Sequence, residues 1–301
     1  DEFALPAKAS GRRTTLRSKR GQLTLSETAR TATVATDQFS IRFNTQSGAL
    51  TSLKYHNNEH LLAGPKLNVW RAPTDNDGIK LRPQGRKPLG KWQSIGLDHL
   101  RIKTNNIQIQ NRKDGAIIVN VRQSAIPSKV KYGFDFQQIY TILSTGDIHV
   151  QNTVKADKRL PDLPRIGVQL VLQPGLEQFG WFGRGPHESY WDRKRGYPIG
   201  YYESTVTDQY VPYIMPQEHG NHTDVRWLHL SNPESGLLVV PDNVMECSAS
   251  HYDANEMTAA HHTNEITPHG ETFLNLDVHQ RGLGGASCGP DTLEQYRIEP
   301  G

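Results

Sequence analysis

The chain has 301 residues, 22% charged and 35% hydrophobic, enough for one large or two ordinary globular domains with a sizeable core. Its net charge of +3 is too slight to argue for nucleic acid, and no apolar run reaches membrane-spanning length. The two cysteines, Cys247 and Cys288, have no metal-ligand spacing; they are expected as reduced, buried thiols, with a single bridge left open.

The chain opens on Asp1 without Met, so it is read as a processed product or an excised piece. The lack of a leader therefore leaves the compartment open, with the cytoplasm preferred over secretion. Residues 1–6 read as the tail of a strand and 7–21 as a basic linker, G-R-R-T-T-L-R-S-K-R-G. From Leu23 a series of strands begins. Phe39, Ile41 and Phe43 share one face, and residues 49–55 return after a Q-S-G turn. A strand ends at Trp70-Arg71, stopped by Ala72-Pro73, and D-N-D-G at 75–78 turns the chain. Residues 80–90 read as a loop and 91–97 as a short helix.

Period-two alternation returns over 99–124, 134–143 and 148–154, and 165–172 is a further strand. Residues 227–230 and 237–240 bracket an S-N-P-E-S-G turn. Residues 245–252 and 272–280 alternate, 255–262 have helical composition, and 294–298 read as a closing strand. Strands about every ten residues with few helices predict an all-β sandwich built on two large sheets.

The stretch from Trp181 to Arg226 mixes rings with Arg, Glu, Asn and His. A sugar needs that mixture, because its C–H face packs on a ring and its hydroxyls take directed polar partners. Tight turns stiffened by aromatics and ion pairs are the alternative, slightly favoured on residue chemistry alone. Asp75-Asn76-Asp77-Gly78 lacks the alternate ligands of a calcium loop. It either caps its own backbone or points into a concave surface beside Arg71. His219 and His222 are three apart, but Pro212, Pro216 and Gly220 argue against the helix that would make this a zinc site, and no metal is expected. Glu188, Asp192, Glu218 and Asp224 offer carboxylates for a glycosidase pair, with nothing diagnostic around them. There is no nucleophile elbow and no phosphate loop.

Four motifs carry a resemblance: L-N-V-W-R-A-P-T-D-N-D-G at 67–78, W-F-G-R-G-P-H-E-S-Y-W-D-R at 181–193, Y-V-P-Y-I-M-P-Q-E-H-G-N-H-T-D-V-R-W at 210–227 and G-L-G-G-A-S-C-G-P-D-T at 282–292. Together they resemble the C-terminal domain of family 2 β-galactosidases, the region called the small chain. The opening D-E-F-A-L-P is similar to the end of the immunoglobulin-like domain before it. The resemblance implies a large antiparallel β-supersandwich similar to galactose mutarotases, over residues 23–301, with 1–22 as the preceding domain's tail and linker.

It also implies that this chain is a part of a β-galactosidase that is inactive alone. The family's catalytic glutamates and its magnesium and sodium ligands lie elsewhere, mainly in a TIM barrel, so Glu188 and Glu218 are withdrawn as catalytic residues and no cofactor is assigned to this chain. The implied partners are that TIM-barrel portion and a galactoside or other carbohydrate; a homo-oligomer is left open. In the family the glycine-rich loop carries a Trp that stacks on the sugar. Here the loop is one residue shorter and Cys288 stands in that place, which offers no ring.

A mutarotase-like concave face would be lined by Arg71, Asp75, Asn76, Arg184, His187, Glu188, Glu218, His219, His222 and Arg226; the plainer alternative is a buried polar network tying sheets together. Two other functions remain. A free-standing carbohydrate-binding module would expose Trp181, Trp191 or Trp227. An epimerase would set His219 or His222 opposite Glu188.

Overall fold

The hairpin read from Phe39, Ile41 and Phe43 opens the first sheet of a computed structural model that describes residues 22–81, 85–285 and 289–301. That sheet runs β1 (Thr24–Glu27), β2 (Thr31–Ala35), β3 (Phe39–Asn44), β4 (Leu50–Tyr55) and β5 (Asn58–Glu59) in chain order. Asn44 Oδ1 accepts from the backbone of Gln46 and Ser47, both at 2.9 Å, and Gly48 closes the turn at φ +70°. Residues 1–21, read as a tail and linker, lie outside the described residues, as does Cys288.

β6 (Leu61–Asn68) leaves for another sheet. The expected end at Trp70-Arg71 comes earlier, because Asn68 Oδ1 turns back to accept from Trp70 N at 3.1 Å. α1 (Pro88–Ile95) begins three residues before the expected position 91. Pro88 suits the first turn, where its missing N–H costs nothing, and Gly96 ends the helix at φ +71°. Trp92 is fully buried and donates from Nε1 to Asp162 O at 2.7 Å.

β7 (Leu100–Asn111), β8 (Ile117–Pro127), β9 (Phe134–Ile142) and β10 (Ile148–Ala156) form a meander. The remaining strands are β11 (Arg165–Leu172), β12 (Gln178–Arg184), β13 (Ile199–Thr205), β14 (His222–Val225), β15 (Trp227–Ser231), β16 (Gly236–Val239), β17 (Met245–Ser250) and, after α2 (Ala254–Ala259), β18 (Thr272–Gln280). They make a third sheet ordered β14-β17-β18-β11-β6 and a fourth ordered β13-β12-β15-β16.

All named strand pairs are antiparallel, as an all-β reading requires. The number of sheets differs from the two expected: four sheets of five, four, five and four strands. Periodicity reports which face of a strand is apolar, not which strand lies beside it, so sheet boundaries were invisible. Among the described residues no helix is long and apolar enough to cross a membrane.

Phe43 and Tyr140 meet edge-on at 5.0 Å, joining the first sheet to the second. β12 of the fourth sheet packs on β14 of the third, where Trp181 stacks on His222 at 3.9 Å. Burying an aromatic of this kind contributes about 2–3 kcal/mol. Two strands, β12 and β13, lie where turns were expected, because Phe179 and Trp181 alternate inward between Gly180 and Phe182. The expected strand at 294–298 is instead a 3₁₀ turn, Glu294–Tyr296. Tyr296 N donates back to Leu293 O at 2.9 Å and its ring meets Trp191 edge-on.

Candidate functional site

The D-N-D-G turn caps itself and clasps a distant loop. Thr74 N donates to Asp77 Oδ2 at 3.0 Å, and Asp77 N to Thr74 O at 3.0 Å. The fully buried Arg71 forks onto Asp77, with Nη2 2.8 Å from Oδ1 and Nε 3.1 Å from Oδ2. Its Nη1 donates to Arg281 O at 2.5 Å. Asn76 bridges the two stems of the glycine-rich loop: Nδ2 donates to Leu283 O at 2.8 Å, and Oδ1 accepts from Gly289 N at 2.7 Å. Asp192 Oδ2 repeats the device, accepting from Gly284 N at 2.8 Å and Thr292 Oγ1 at 3.1 Å. Arg281 anchors the near stem on Asp162 and Asp291. Both arms of the loop are thus held by charge-assisted bonds, each worth about 1.5–3 kcal/mol when buried.

A second network covers one face of the third sheet. Strand alternation sends Val168, Leu170, Leu274 and Cys247 into the core and Arg165, Gln169, Asn275, Asp277, Glu246 and Ser248 to the other side. Gln169 Nε2 and Asn68 Nδ2 both donate to Asn275 Oδ1, and Asn275 Nδ2 donates to Ser248 Oγ at 3.1 Å. Arg165 donates to Asp277 Oδ2 at 2.8 Å and lies 3.8 Å from Glu218. Gln280 Nε2 donates to Glu218 and to Asn221, each at 3.0 Å, and Asn221 donates on to Glu246.

Two buried carboxylates, Asp277 and Glu218, therefore share the Arg165 guanidinium, and the amides of Asn221 and Gln280 hold Glu246. Burial pushes the Asp277 carboxyl up to about 7, with Arg165 pulling it down and Glu246 and Glu218 pushing it further up. Cys247 is free and buried on the core side, and burial raises its thiol, which suits an inert cysteine.

The aromatic stretch supplies two smaller clusters. Asp224, at φ +53°, takes Arg184 Nε at 2.5 Å and Lys194 Nζ at 2.6 Å, while its carbonyl accepts from Arg226. Burial raises Asp224, but the bonds from Lys194 and Arg184 win and hold it below the usual carboxylate range. Glu188 accepts from Arg193 at 2.7 Å, Tyr213 at 2.5 Å and Gly220 N at 2.8 Å. His222 is fully buried, with Nε2 2.7 Å from Gln209 Oε1; burial pulls it down to about 3, so it is neutral. His219 Nδ1 lies 3.0 Å from Gln217 O, with its ring edge-on to Tyr210.

The ten described candidates do not converge on one point. Arg71 and Asn76 belong to the loop clasp, and Glu218 belongs to the acidic network. Arg184 and Arg226 meet at Asp224, and His222 sits in the core against Trp181. Asp75 is half-buried and touches Gln217 through its backbone N–H at 3.2 Å. His187 is exposed. Glu188 takes its bonds from Arg193, Tyr213 and Gly220, not from either histidine. Of the three tryptophans, Trp181 is buried, Trp191 is half-buried and stacked on His279 at 4.4 Å, and Trp227 is half-buried in a row of rings. Residues that sequence reasoning missed are Arg165, Asn221, Glu246, Asp277, Gln280 and Arg281. One signal was available: Asn275, Asp277 and His279 alternate with Leu274, Leu276 and Val278 along β18.

Among the described residues no group of three or more His, Cys, Asp or Glu side chains could hold a metal ion. Glu188, Asp192, Glu218 and Asp224 are each engaged by a cation or an amide.

Residues 35–301 match the family described as beta galactosidase small chain. The β-galactosidase of Priestia megaterium is 29% identical over 287 residues, 95% of this chain and 26% of the relative. That of Staphylococcus xylosus is 30% identical over 260 residues, covering 85% and 25%. That of Kluyveromyces lactis is 31% identical over 257 residues, covering 84% and 24%. The chain spans about a quarter of the length of these relatives.

Proposed function

The chain belongs to the beta galactosidase small-chain family, and on that premise we propose that it is the C-terminal domain or small subunit of an enzyme hydrolysing terminal β-D-galactosides. The reaction of the assembled enzyme is retaining, through a galactosyl-enzyme intermediate. Its acid and its nucleophile belong to a TIM-barrel portion outside this chain, along with magnesium and sodium.

The observation that carries this reading is the double clasp on the glycine-rich loop. Asn76 and Asp192 bind the loop's two stems, and Arg71 and Arg281 fix its base. Stems held so firmly suit a rigid wall beside a neighbouring cleft. The burial of Glu218, and the bonds that Arg193, Tyr213 and Gly220 make to Glu188, support the same division of labour, since a general acid or nucleophile must reach its substrate. In this reading residues 23–301 form one supersandwich of the galactose mutarotase type. The pairing of the first sheet on the second, and of the fourth on the third, is consistent with such layering. The candidates from Arg71 to Arg226 then act as its internal polar network, not as a sugar pocket.

The test is turnover of a chromogenic β-galactoside by this chain alone and after mixing with the catalytic portion of its enzyme. No turnover alone and recovery on mixing are expected. Turnover by the chain alone, or no recovery with an Asn76-intact chain, overturns the reading.

A further inference from the structure

The fourth sheet has a second face that none of the networks above uses. Its inward side buries Phe179, Trp181, Leu228 and Leu230. Strand alternation sends Phe182, Tyr201 and Trp227 outward in one cross-strand row, since Phe182 pairs with Tyr201 on one side and Trp227 on the other. Phe182 and Trp227 stack at 6.2 Å with 22° between planes, and Tyr201 lies 5.2 Å from Trp227 at 32°. The Arg226 guanidinium stands 5.6 Å over Phe182. Tyr201 keeps 48% of its surface exposed.

The next cross-strand row is polar. Gly180 pairs with Glu203 on one side and His229 on the other. Its missing side chain lets the His229 ring lie across the strand; a Cβ there would stand 2.3 Å from Nε2. Tyr201 Oη donates to Glu203 and lies 3.3 Å from His229 Nε2. A stiff aromatic row thus adjoins a carboxylate and an imidazole already fixed by hydrogen bonds, with spare lone pairs and donors toward solvent.

We infer that this face binds a pyranoside, with a β-galactoside as the fitting class. The apolar C–H face of the sugar packs on Tyr201 and Trp227, and its hydroxyls bond Glu203 and His229. Protein-docking surfaces put charge at the rim and deplete it at the centre. Here Glu203 and His229 stand beside the rings, an arrangement that suits a ligand carrying hydroxyls over its whole edge. Aromatic rings with two torsions also lose little entropy on binding. The choice of a galactoside over other pyranosides rests on the function proposed above; the site itself does not.

The experiment is a titration of the isotope-labelled chain with methyl β-galactoside and with lactose, read at the indole and backbone amide resonances. Saturable shifts confined to β12, β13 and β15 are expected, at millimolar Kd, the strength of a few stacking and hydrogen-bond contacts (about −4 kcal/mol). Tyr201→Ala and Trp227→Ala should each weaken binding at least about tenfold, and Trp227→Tyr should retain it, since a ring remains. Unchanged near-ultraviolet circular dichroism separates lost binding from lost folding. No shifts with either sugar, or shifts that survive Tyr201→Ala, overturn the site. Variants that fail only to join the catalytic portion mark the face as a protein-docking surface and overturn it too. A methyl β-glucoside that binds equally well overturns the galactoside class alone. Because the titration needs no hydrolysis, its failure is distinguishable from failure of the mixing assay.

Discussion

Acidification from about pH 7 to about pH 5 should draw nearly equal and opposite changes in folding stability from two buried groups of this chain. Asp277 is pushed up from 3.8 to about 7 by burial. The folded chain holds a proton there that the unfolded chain releases, so stability is gained as pH falls below 7 and lost as it rises toward 7. His222 is pulled from 6.5 down to about 3 by burial. The unfolded chain takes up a proton that the folded chain refuses, so stability is lost as pH falls below 6.5. At about 1.4 kcal/mol per unit, Asp277, already half protonated at about pH 7, adds roughly 2 kcal/mol over the interval, and one and a half units on His222 remove roughly 2 kcal/mol. Asp277→Asn removes that gain, so over the interval the variant should lose roughly 2 kcal/mol relative to the unsubstituted chain. His222→Gln should gain roughly 2 kcal/mol on the same comparison. Urea midpoints at about pH 5, 6 and 7, with slopes compared within each protein, remove the fixed cost of each substitution. Other titrating groups, such as His269 raised by its bond to Glu256, are common to all three chains. An Asp277→Asn chain whose stability follows pH as the unsubstituted chain's does would refute the argument.

Three further perturbations test the packing. Gly48→Ala combines a φ of +70° with a Cβ 2.4 Å from Val121 Cγ1, so urea denaturation should show a loss of about 2 kcal/mol. Trp181→Ala empties the space against Phe179 and His222 and should cost about 3–5 kcal/mol by the same measurement. Lys80 Nζ donates to the carbonyls of Pro216, Met257 and Ala260, and Lys80→Met strips all three of a donor. Its expected cost is about 2 kcal/mol, with faster proteolysis around α2.

Much of the strand pattern was legible in the sequence, because each strand's burial follows its own alternation. β11 and β18 fall at the residues expected, and the buried positions of β3 are Phe39, Ile41 and Phe43. Four motifs were enough to identify the family, since they preserve local residue order. What the residues could not disclose is partnership across long separations. Arg71 bonds a carbonyl 210 positions away, and Asn76 bonds another 207 positions away. Arg165 and Asp277 meet only because β11 and β18 pair in the third sheet. The strands β12 and β13 were mistaken for turns because glycine and charge mask an alternation that tertiary burial makes real. Sequence alone determined an all-β chain of this family. Which polar residues are buried, which carboxylate keeps its proton, and which rings face water were decided by the pairing of distant strands. Desolvation and Coulomb energy depend on distance in space, which local order does not encode.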